Sequence, residues 1–355
     1  MALFLHILAL LAAFYFLAVI CDRYFVPSLD RIAEKLKMNS DMAGATLMAV
    51  GSSAPELFVS FIALFQSGQE ALGAGTIVGS ALFNILVIIG ASAMVRKAFI
   101  AWQPVIRDIL FYSFSIVLLI FTFYDGRVTF FESLLFLALY GAYVLAVLKW
   151  RKILPYKEER SDEKLVDVLE EGIKKEERRK TFFGRCLKNI NRFLDFIFPK
   201  AQYYWLAFFV SIAVIAGLSW VLVESAVAMA EILHIPAVII GLTVLAAGTS
   251  IPDLFSSTIV ARQGRGGMAI SNAIGSNIFD ILIGLGLPWA VVGLSGKIIP
   301  VATENLNSSI ILLFATVVSV LFFLIAKKWR IGKFAGVGLI SLYLLYLLWS
   351  IFQVI

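Results

Sequence analysis

The chain has 355 residues, of which 61% are hydrophobic and only 15% are charged. Soluble globular domains are roughly half apolar and about a quarter charged, so this composition excludes an ordinary soluble protein. Several apolar runs reach the roughly 20 residues that a helix needs to cross a bilayer. The net charge of +6 gives no indication of nucleic-acid binding, because in a membrane protein the positions of the basic residues matter more than their sum.

Hydropathy predicts an all-α polytopic membrane protein with about ten transmembrane helices. A polar segment at 151–200 separates a first five-helix repeat at 1–150 from a second five-helix repeat at 201–355. Because each half holds an odd number of spans, we expect the two repeats to be inverted relative to each other. The predicted spans lie near residues 2–25, 41–66, 70–95, 104–124, 128–150, 202–225, 233–261, 267–293, 306–326 and 334–354.

The positions of the basic residues predict the orientation in the membrane. If the N-terminus is outside, the opposite side carries the whole central loop and Arg31, Lys35, Lys37, Arg96, Lys97, Arg262, Arg265, Lys327, Lys328, Arg330 and Lys333. The outer side keeps only Arg127 and Lys297. This asymmetry predicts an integral protein of the plasma or cell inner membrane, with both termini non-cytoplasmic and the central loop in the cytoplasm.

Two motifs occur twice, in almost unbroken register. Each copy of the first motif has a Pro directly before an acid, Glu56 or Asp253, and these acids are 197 positions apart. Ionisable residues inside a membrane segment are functional candidates by default. Pro- and Gly-interrupted helices at matching positions of two halves indicate a secondary transporter with its site between the repeats. The copies are GSSAPELFVS at 51–60 and GTSIPDLFSS at 248–257, then GSALFN at 79–84 and GSNIFD at 275–280.

The two prolines also predict irregular backbone at the site. Pro55 and Pro252 cannot donate a backbone hydrogen bond, and each ring clashes with the carbonyl four residues earlier. Irregular backbone at membrane depth survives only where it is buried in protein or lines a polar cavity. A bound cation would satisfy the carbonyls that the prolines release.

All candidate ligands near these motifs carry oxygen. Calcium takes about six to eight oxygen ligands, whereas transition metals would recruit His or Cys. Three acids, Glu56, Asp253 and Asp280, require bound cations or protonation in a low-dielectric pocket. The other side-chain candidates are Asn84, Ser52, Ser53, Thr249, Ser250, Ser80 and Ser276.

The motifs closely resemble those of the cation/calcium antiporter superfamily, and within it the potassium-dependent sodium/calcium exchangers. SSAPEL at 52–57, GTSIPDL at 248–254 and GSNIFD at 275–280 carry the likeness, which covers both membrane halves but not the central loop. The resemblance implies a ten-helix inverted-repeat fold with Glu56 and Asp253 as the central calcium ligands. It also implies that further calcium and sodium positions are completed by the carbonyls of Ala49 and Ala246, with the hydroxyls of Ser52, Ser53, Thr249 and Ser250. Ser80, Asn84, Ser276 and Asp280 would line the same cavity.

The resemblance leaves potassium co-transport open. Asp280 is the sharpest discriminator, since the potassium-independent animal exchangers have an amide there. Ser256 stands where the potassium-dependent animal members typically have Thr, and Arg23 replaces an acid that is usual in them. An acid at the position of Asp280 also occurs in prokaryotic members that work without potassium.

We therefore expect a secondary active antiporter rather than an enzyme. It would exchange sodium for calcium by alternating access, with inorganic cations and the lipid bilayer as its partners, no nucleic acid, and no cofactor beyond the transported ions. One alternative is a calcium/proton or other divalent-cation antiporter. A distant alternative is an intramembrane aspartyl protease, although the GxGD pattern of such enzymes is absent.

Overall fold

The computed structural model describes residues 2–36, 46, 49–66, 69–96, 98–99, 101–154, 194, 198–199, 203–262, 264, 266–301 and 306–352. Most of the predicted central loop lies outside these residues. So do positions 41–45 and 47–48 of the second predicted span, and the basic residues Lys37, Lys97 and Arg265.

The first half consists of helices joined by short turns, with two very short strands. Its helices are α1 (Ala2–Ile20), α2 (Val26–Lys35), α3 (Ala49–Ser52), α4 (Ala54–Phe65), α5 (Glu70–Phe83), α6 (Ile89–Val95), α7 (Trp102–Thr122) and α8 (Phe130–Ile153). Wider π-helical turns at Cys21–Phe25 and Asn84–Ile88 continue α1 into α2 and α5 into α6. The strands are β1 (Ala98–Phe99) and β2 (Arg127–Val128).

The second half repeats this order. Its helices are α9 (Tyr204–Leu233), α10 (Ala237–Ile240), α11 (Ala246–Thr249), α12 (Ile251–Arg262), α13 (Gly266–Phe279), α14 (Gly286–Gly293), α15 (Leu306–Ala326) and α16 (Lys333–Phe352). π-helical turns at Gly241–Leu245 and Asp280–Leu285 join α10 to α11 and α13 to α14. The strands are β3 (Ile299–Pro300) and β4 (Arg330–Ile331).

These helices confirm the prediction of an all-α membrane protein. Among the described residues, 8 helices are long and apolar enough to cross a membrane, and counting the pair 237–249 and 251–262, bent by 42°, as one broken span makes nine. The shorter apolar helix α4 falls in the predicted span 41–66. One predicted boundary was wrong: α9 continues to Leu233 instead of ending near 225, because no Gly or Pro lies between Ser225 and His234, which caps the helix in the left-handed conformation.

The strand pairs establish that the two repeats are inverted. β1 pairs with β4, and β2 pairs with β3, both antiparallel. In the repeat order, β1 precedes the 21-residue helix α7 just as β3 precedes the 21-residue helix α15. Equivalent strands therefore lie at opposite ends of the molecule, as inverted repeats require.

Aromatic contacts confirm the repeat register in the last helix of each half. The Tyr140 ring in α8 meets Phe279 edge-on at 5.7 Å, and the Tyr343 ring in α16 meets Phe83 edge-on at 5.4 Å. Phe83 and Phe279 are 196 positions apart, as are Ser80 and Ser276. The final helix of each repeat therefore packs against the middle of the other repeat.

Buried apolar side chains form two large clusters. One joins α5–α8 and α13–α16, and the other is centred on α1 and α9, which pack against each other. Val59, Ala63 and Leu72 join the second cluster from α4 and α5. The α1–α9 pair thus has its own apolar core, which lies against the rest of the bundle.

Candidate ion-binding site

Both duplicated motifs break their helix three residues before the acid. Ser53 separates α3 from α4, and Ser250 separates α11 from α12, with the predicted prolines in the first turn after each break. The Ser53 amide donates to the Ala49 carbonyl at 3.0 Å, and the Ser250 amide donates to the Ala246 carbonyl at 3.3 Å. A carbonyl oxygen has two lone pairs, so each of these two carbonyls keeps acceptor capacity for a cation.

The second pair of motifs ends in a π-helical turn. Asn84 is the first residue of one such turn and Asp280 the first residue of the other. Single π turns within α-helices are rare and are frequent at functional sites. Nothing in the two sequences signalled these turns beyond the repeat itself.

The Glu56 carboxylate receives its hydrogen bond from the other repeat. Ser250 Oγ donates to Glu56 Oε1 at 3.2 Å, and Ser80 Oγ lies 2.7 Å from the same Ser250 oxygen. All three side chains are fully buried. Ser250 therefore links an acid and a hydroxyl of the first repeat to the helix break of the second.

The Asp253 carboxylate is held by one residue from each repeat. Ser276 Oγ donates to Oδ1 at 3.1 Å, and Asn84 Nδ2 donates to Oδ2 at 3.2 Å. Ser52 Oγ lies 3.5 Å from Ser276 Oγ and so adjoins this group from the first helix break. Each of the two acids therefore accepts a hydrogen bond from a residue of the other repeat.

Thr249 and Asp280 differ from these residues in their hydrogen bonding. The Thr249 hydroxyl donates at 2.9 Å to the Leu245 carbonyl of its own helix. Asp280 has Ser53 and Ser80 as polar neighbours and lies within electrostatic range of Glu56 and Asp253, but among the described residues no donor forms a hydrogen bond to either of its carboxylate oxygens. The predicted residues thus converge on one buried region, with Asp280 as its unbonded acid.

Buried oxygens without donors mark where a cation would fit. Among the described residues of the two duplicated motifs, these oxygens are Glu56 Oε2, Asn84 Oδ1, Ser53 Oγ and both carboxylate oxygens of Asp280. Buried acceptors normally find a donor, because leaving one unpaired costs about 1–3 kcal/mol. Within the same described part of the chain, no three His, Cys, Asp or Glu side chains enclose a metal. The ligands would therefore be mainly hydroxyl, amide and carbonyl oxygens around separate carboxylates, which suits hard cations.

The sequence interpretation missed Asn277, which orients Asn84. Asn277 Oδ1 accepts from Asn84 Nδ2 at 2.8 Å, and Asn277 Nδ2 donates to the Ala81 carbonyl at 3.1 Å and to the Tyr112 hydroxyl at 3.0 Å. A signal was present, since GSNIFD has a buried amide where GSALFN has Ala81. The polar group therefore extends from Asp253 through two amides to α7.

A second buried polar group lies one turn earlier in α7. Arg107 Nε donates to Asp108 Oδ1 at 2.8 Å, and the Tyr143 hydroxyl donates to the same oxygen at 3.2 Å. Arg107 is 1% exposed and Asp108 is fully buried. The repeat places Ile311 and Leu312 at the equivalent positions of α15, so this ion pair exists in one half only.

Comparison with known proteins identifies the family. The profile described as "Sodium/calcium exchanger protein" matches residues 6–149 and 203–352. The chain belongs to this family. Because the family is one of exchangers, the alternative of an intramembrane protease is wrong, and the expectation of a transporter rather than an enzyme is confirmed.

Individual members are similar over nearly the whole chain. Sodium/potassium/calcium exchanger 2 of Gallus gallus is 30% identical, over 99% of this chain and 77% of that protein. Sodium/potassium/calcium exchanger 4 of Homo sapiens is 29% identical, over 99% of this chain and 81% of that protein. A crystal structure of the sodium-calcium exchanger NCX_Mj has a TM-score of 0.61 at 22% identity, covering 97% of this chain and 98% of that one. It shares the fold.

Proposed function

We propose that the protein exchanges sodium for calcium across the membrane, with Glu56 and Asp253 as the shared cation ligands. The observation that carries the proposal is the set of buried, donor-free oxygens between the two helix breaks. Such oxygens are stabilised by a cation and destabilised without one. The names of the similar exchangers, which include sodium and calcium, support the choice of ions.

Sharing the acids couples the two fluxes. Sodium and calcium both require oxygen ligands, so loading one ion at Glu56 and Asp253 removes ligands that the other needs. The exchange then needs no covalent chemistry. If the two directions carry unequal charge, the membrane potential contributes about 2.3 kcal/mol per elementary charge per 100 mV.

The α1–α9 pair is suited to the moving part of an alternating-access cycle. Its apolar cluster is distinct from the one that joins α5–α8 and α13–α16, and it meets the bundle through a few residues such as Val59, Ala63 and Leu72. At Gly248 a Cβ atom would overlap the ring of Phe14 in α1. Sliding or rocking of α1 would therefore act directly on the break that carries Asp253.

The decisive experiment measures calcium uptake into proteoliposomes with each driving ion varied separately. An outward sodium gradient should drive uptake when no pH gradient is present, and choline in place of sodium should abolish it. Uptake driven by a proton gradient without sodium would instead favour the calcium/proton alternative. Empty liposomes provide the background.

We propose in addition that potassium accompanies calcium, with Asp280 as its counter-charge. A buried carboxylate without a partner is costly, and both Asp280 oxygens lack one among the described residues. The sodium/potassium/calcium exchangers that resemble the chain bear potassium in their names. Protonation of Asp280 is the competing way to neutralise this charge.

The dependence of calcium uptake on potassium distinguishes bound potassium from protonation as the way in which Asp280 is neutralised. Sodium-driven calcium uptake should require potassium there, and Asp280→Asn should retain uptake while losing that requirement. Equal uptake with choline in place of potassium would contradict the potassium proposal and leave the sodium/calcium exchange standing.

We further propose that the end of the molecule carrying β1 and β4 faces the cytoplasm. Arg96 Nη1 donates to the Arg262 carbonyl at 3.5 Å, and Arg96 adjoins β1, which pairs with β4 in the basic loop 327–333. Lys297 adjoins the opposite strand pair.

In a Cys186→Ser background, an impermeant thiol reagent should label Lys297→Cys from outside and Lys328→Cys only after permeabilisation. The reverse pattern would invert the orientation.

A further inference from the structure

An apolar groove of about 1130 Å³ lies between α15 and α16, with Leu86 among its lining residues. Along α15 it extends from Ser308 to Phe323, which at 1.5 Å per residue corresponds to roughly 22 Å. Its walls include the small residues Ala315, Ser319, Ala335 and Gly338.

The equivalent helices of the first repeat are held together. The rings of Phe111 in α7 and Tyr143 in α8 are 5.4 Å apart, and Trp150 Nε1 donates to the Gln103 carbonyl at 2.8 Å. The repeat register places Ala315 at the position of Phe111 and Gly338 at that of Leu135. Both positions therefore carry a small residue in the second repeat, and a Cβ added at Gly338 would meet nothing within 4 Å.

One end of the groove lies beneath a positively charged loop. Lys327, Lys328, Arg330 and Lys333 are all exposed, and the segment 327–333 contains no acid. This segment joins α15 to α16, and Ile331 within it lines the groove. An apolar channel that ends at clustered basic residues complements a molecule with apolar chains and an anionic head.

We infer that the groove is a binding site for an anionic phospholipid. Its acyl chains lie between α15 and α16, and its phosphate meets Lys327 and Lys328. The length suffices, because one leaflet contributes only about half of the roughly 30 Å hydrocarbon thickness. A second copy of the chain fits less well, since a two-fold axis along the membrane normal would bring two of these basic loops to the same end.

Headgroup selectivity tests the charged half of the site. Delipidated full-length protein in detergent is titrated with phosphatidylglycerol or phosphatidylcholine, and the bound lipids are counted by native mass spectrometry. We expect preferential retention of phosphatidylglycerol. In Lys327→Gln/Lys328→Gln, each lysine removed should weaken phosphatidylglycerol binding about fivefold, which corresponds to about 1 kcal/mol per basic residue. Equal binding of the two lipids would overturn the inference.

A matched variant separates this site from general surface charge. Lys149→Gln/Lys152→Gln removes the same charge from exposed positions of α8. These lie at the same end of the molecule, because Trp150 bonds to Gln103 at the start of α7. Phosphatidylglycerol binding should be unchanged, and a loss equal to that of the 327/328 variant would show that surface charge alone attracts the lipid.

Filling the groove tests its apolar half. Gly338→Leu restores the side chain of the first repeat and should abolish retention of the selected lipid. Gly141→Leu in α8 is the control, because its Cβ also meets nothing within 4 Å. Undiminished phosphatidylglycerol binding in Gly338→Leu would refute the site. A lipid-free dimer that Gly338→Leu dissociates would refute it too, by identifying a second copy as the occupant.

Discussion

The two repeats place equivalent residues in equivalent helices but leave them with different charge. Asn84 and Asp280 each begin a π-helical turn. Asn84 uses its amide donors on Asp253 and Asn277, whereas neither oxygen of Asp280 has a hydrogen-bond partner among the residues that the structure describes. The duplication thus supplies a symmetric frame, and divergence at one position supplies the unbalanced charge that a cation would neutralise.

The serines at the two helix breaks, Ser53 and Ser250, also differ in their hydrogen bonding. Ser250 contacts both Glu56 and Ser80, while the buried Ser53 hydroxyl neighbours Asp280 and has no hydrogen-bond partner in the described part of the chain. One break is therefore closed by protein contacts. The other presents free oxygens, so the ion site is expected to be asymmetric between the repeats.

The largest effect should come from the acids that the two repeats share. Glu56→Gln or Asp253→Asn should lower calcium binding at least about 100-fold, since removing one partner of a buried charge interaction costs about 3–5 kcal/mol. Calcium flux in proteoliposomes and calcium binding to the purified protein measure the loss.

Glu231→Gln is the control for this prediction, because it neutralises an exposed acid of α9 and should leave flux unchanged. Gel filtration establishes that each variant is folded and monodisperse. Near-normal exchange by either acid variant would remove Glu56 and Asp253 from the site.

The buried ion pair in α7 has no counterpart in the second repeat, and its contribution to the free energy of unfolding can be measured. Asp108→Leu leaves Arg107 charged and buried, which should cost about 3–5 kcal/mol of unfolding free energy. Arg107→Ile/Asp108→Leu installs the residues of the second repeat and should recover most of that loss, because apolar replacement of a whole buried pair is often neutral. Thermal unfolding in detergent compares the two.

A double variant as unstable as Asp108→Leu would contradict this reasoning. It would show that the Tyr143 hydroxyl, which loses its acceptor in both variants, dominates the stability of this region.

The sequence predicts the spans, the helix breaks and the acids because each depends on local chemistry. Hydropathy locates most helix ends within a few residues, and Pro55 and Pro252 lie two residues after the breaks. The contacts between repeats were not predictable, because Ser250 meets Glu56 from 194 positions away. Such pairs depend on how whole helices pack. The ion pair at Arg107 and Asp108 was visible in an apolar segment, but without a repeat counterpart it gave no motif.

We expect an intermediate effect on calcium binding from Asn277, which the sequence did not predict as a site residue. Asn277→Ala frees the Asn84 amide from its acceptor and should weaken calcium binding about tenfold, the lower end of the range for groups that orient metal ligands. Asn272→Ala is the control, since Asn272 is also buried in α13 but donates to Ser257. Equal losses in both variants would mean that any buried amide of α13 matters equally.

The smallest effect should come from Tyr112, the far end of the polar group that begins at Asp253. Tyr112→Phe removes only the hydroxyl that accepts from Asn277, and a typical hydrogen bond contributes about 1 kcal/mol net. Calcium binding should therefore weaken about fivefold or less, because Asn277 keeps the Ala81 carbonyl as a second acceptor. Tyr343→Phe is a matched control, since that buried hydroxyl has no hydrogen-bond partner among the described residues. If Tyr112→Phe weakened binding as much as Asn277→Ala, the phenol rather than the amide would hold Asn84 in place, and α7 would belong to the site itself.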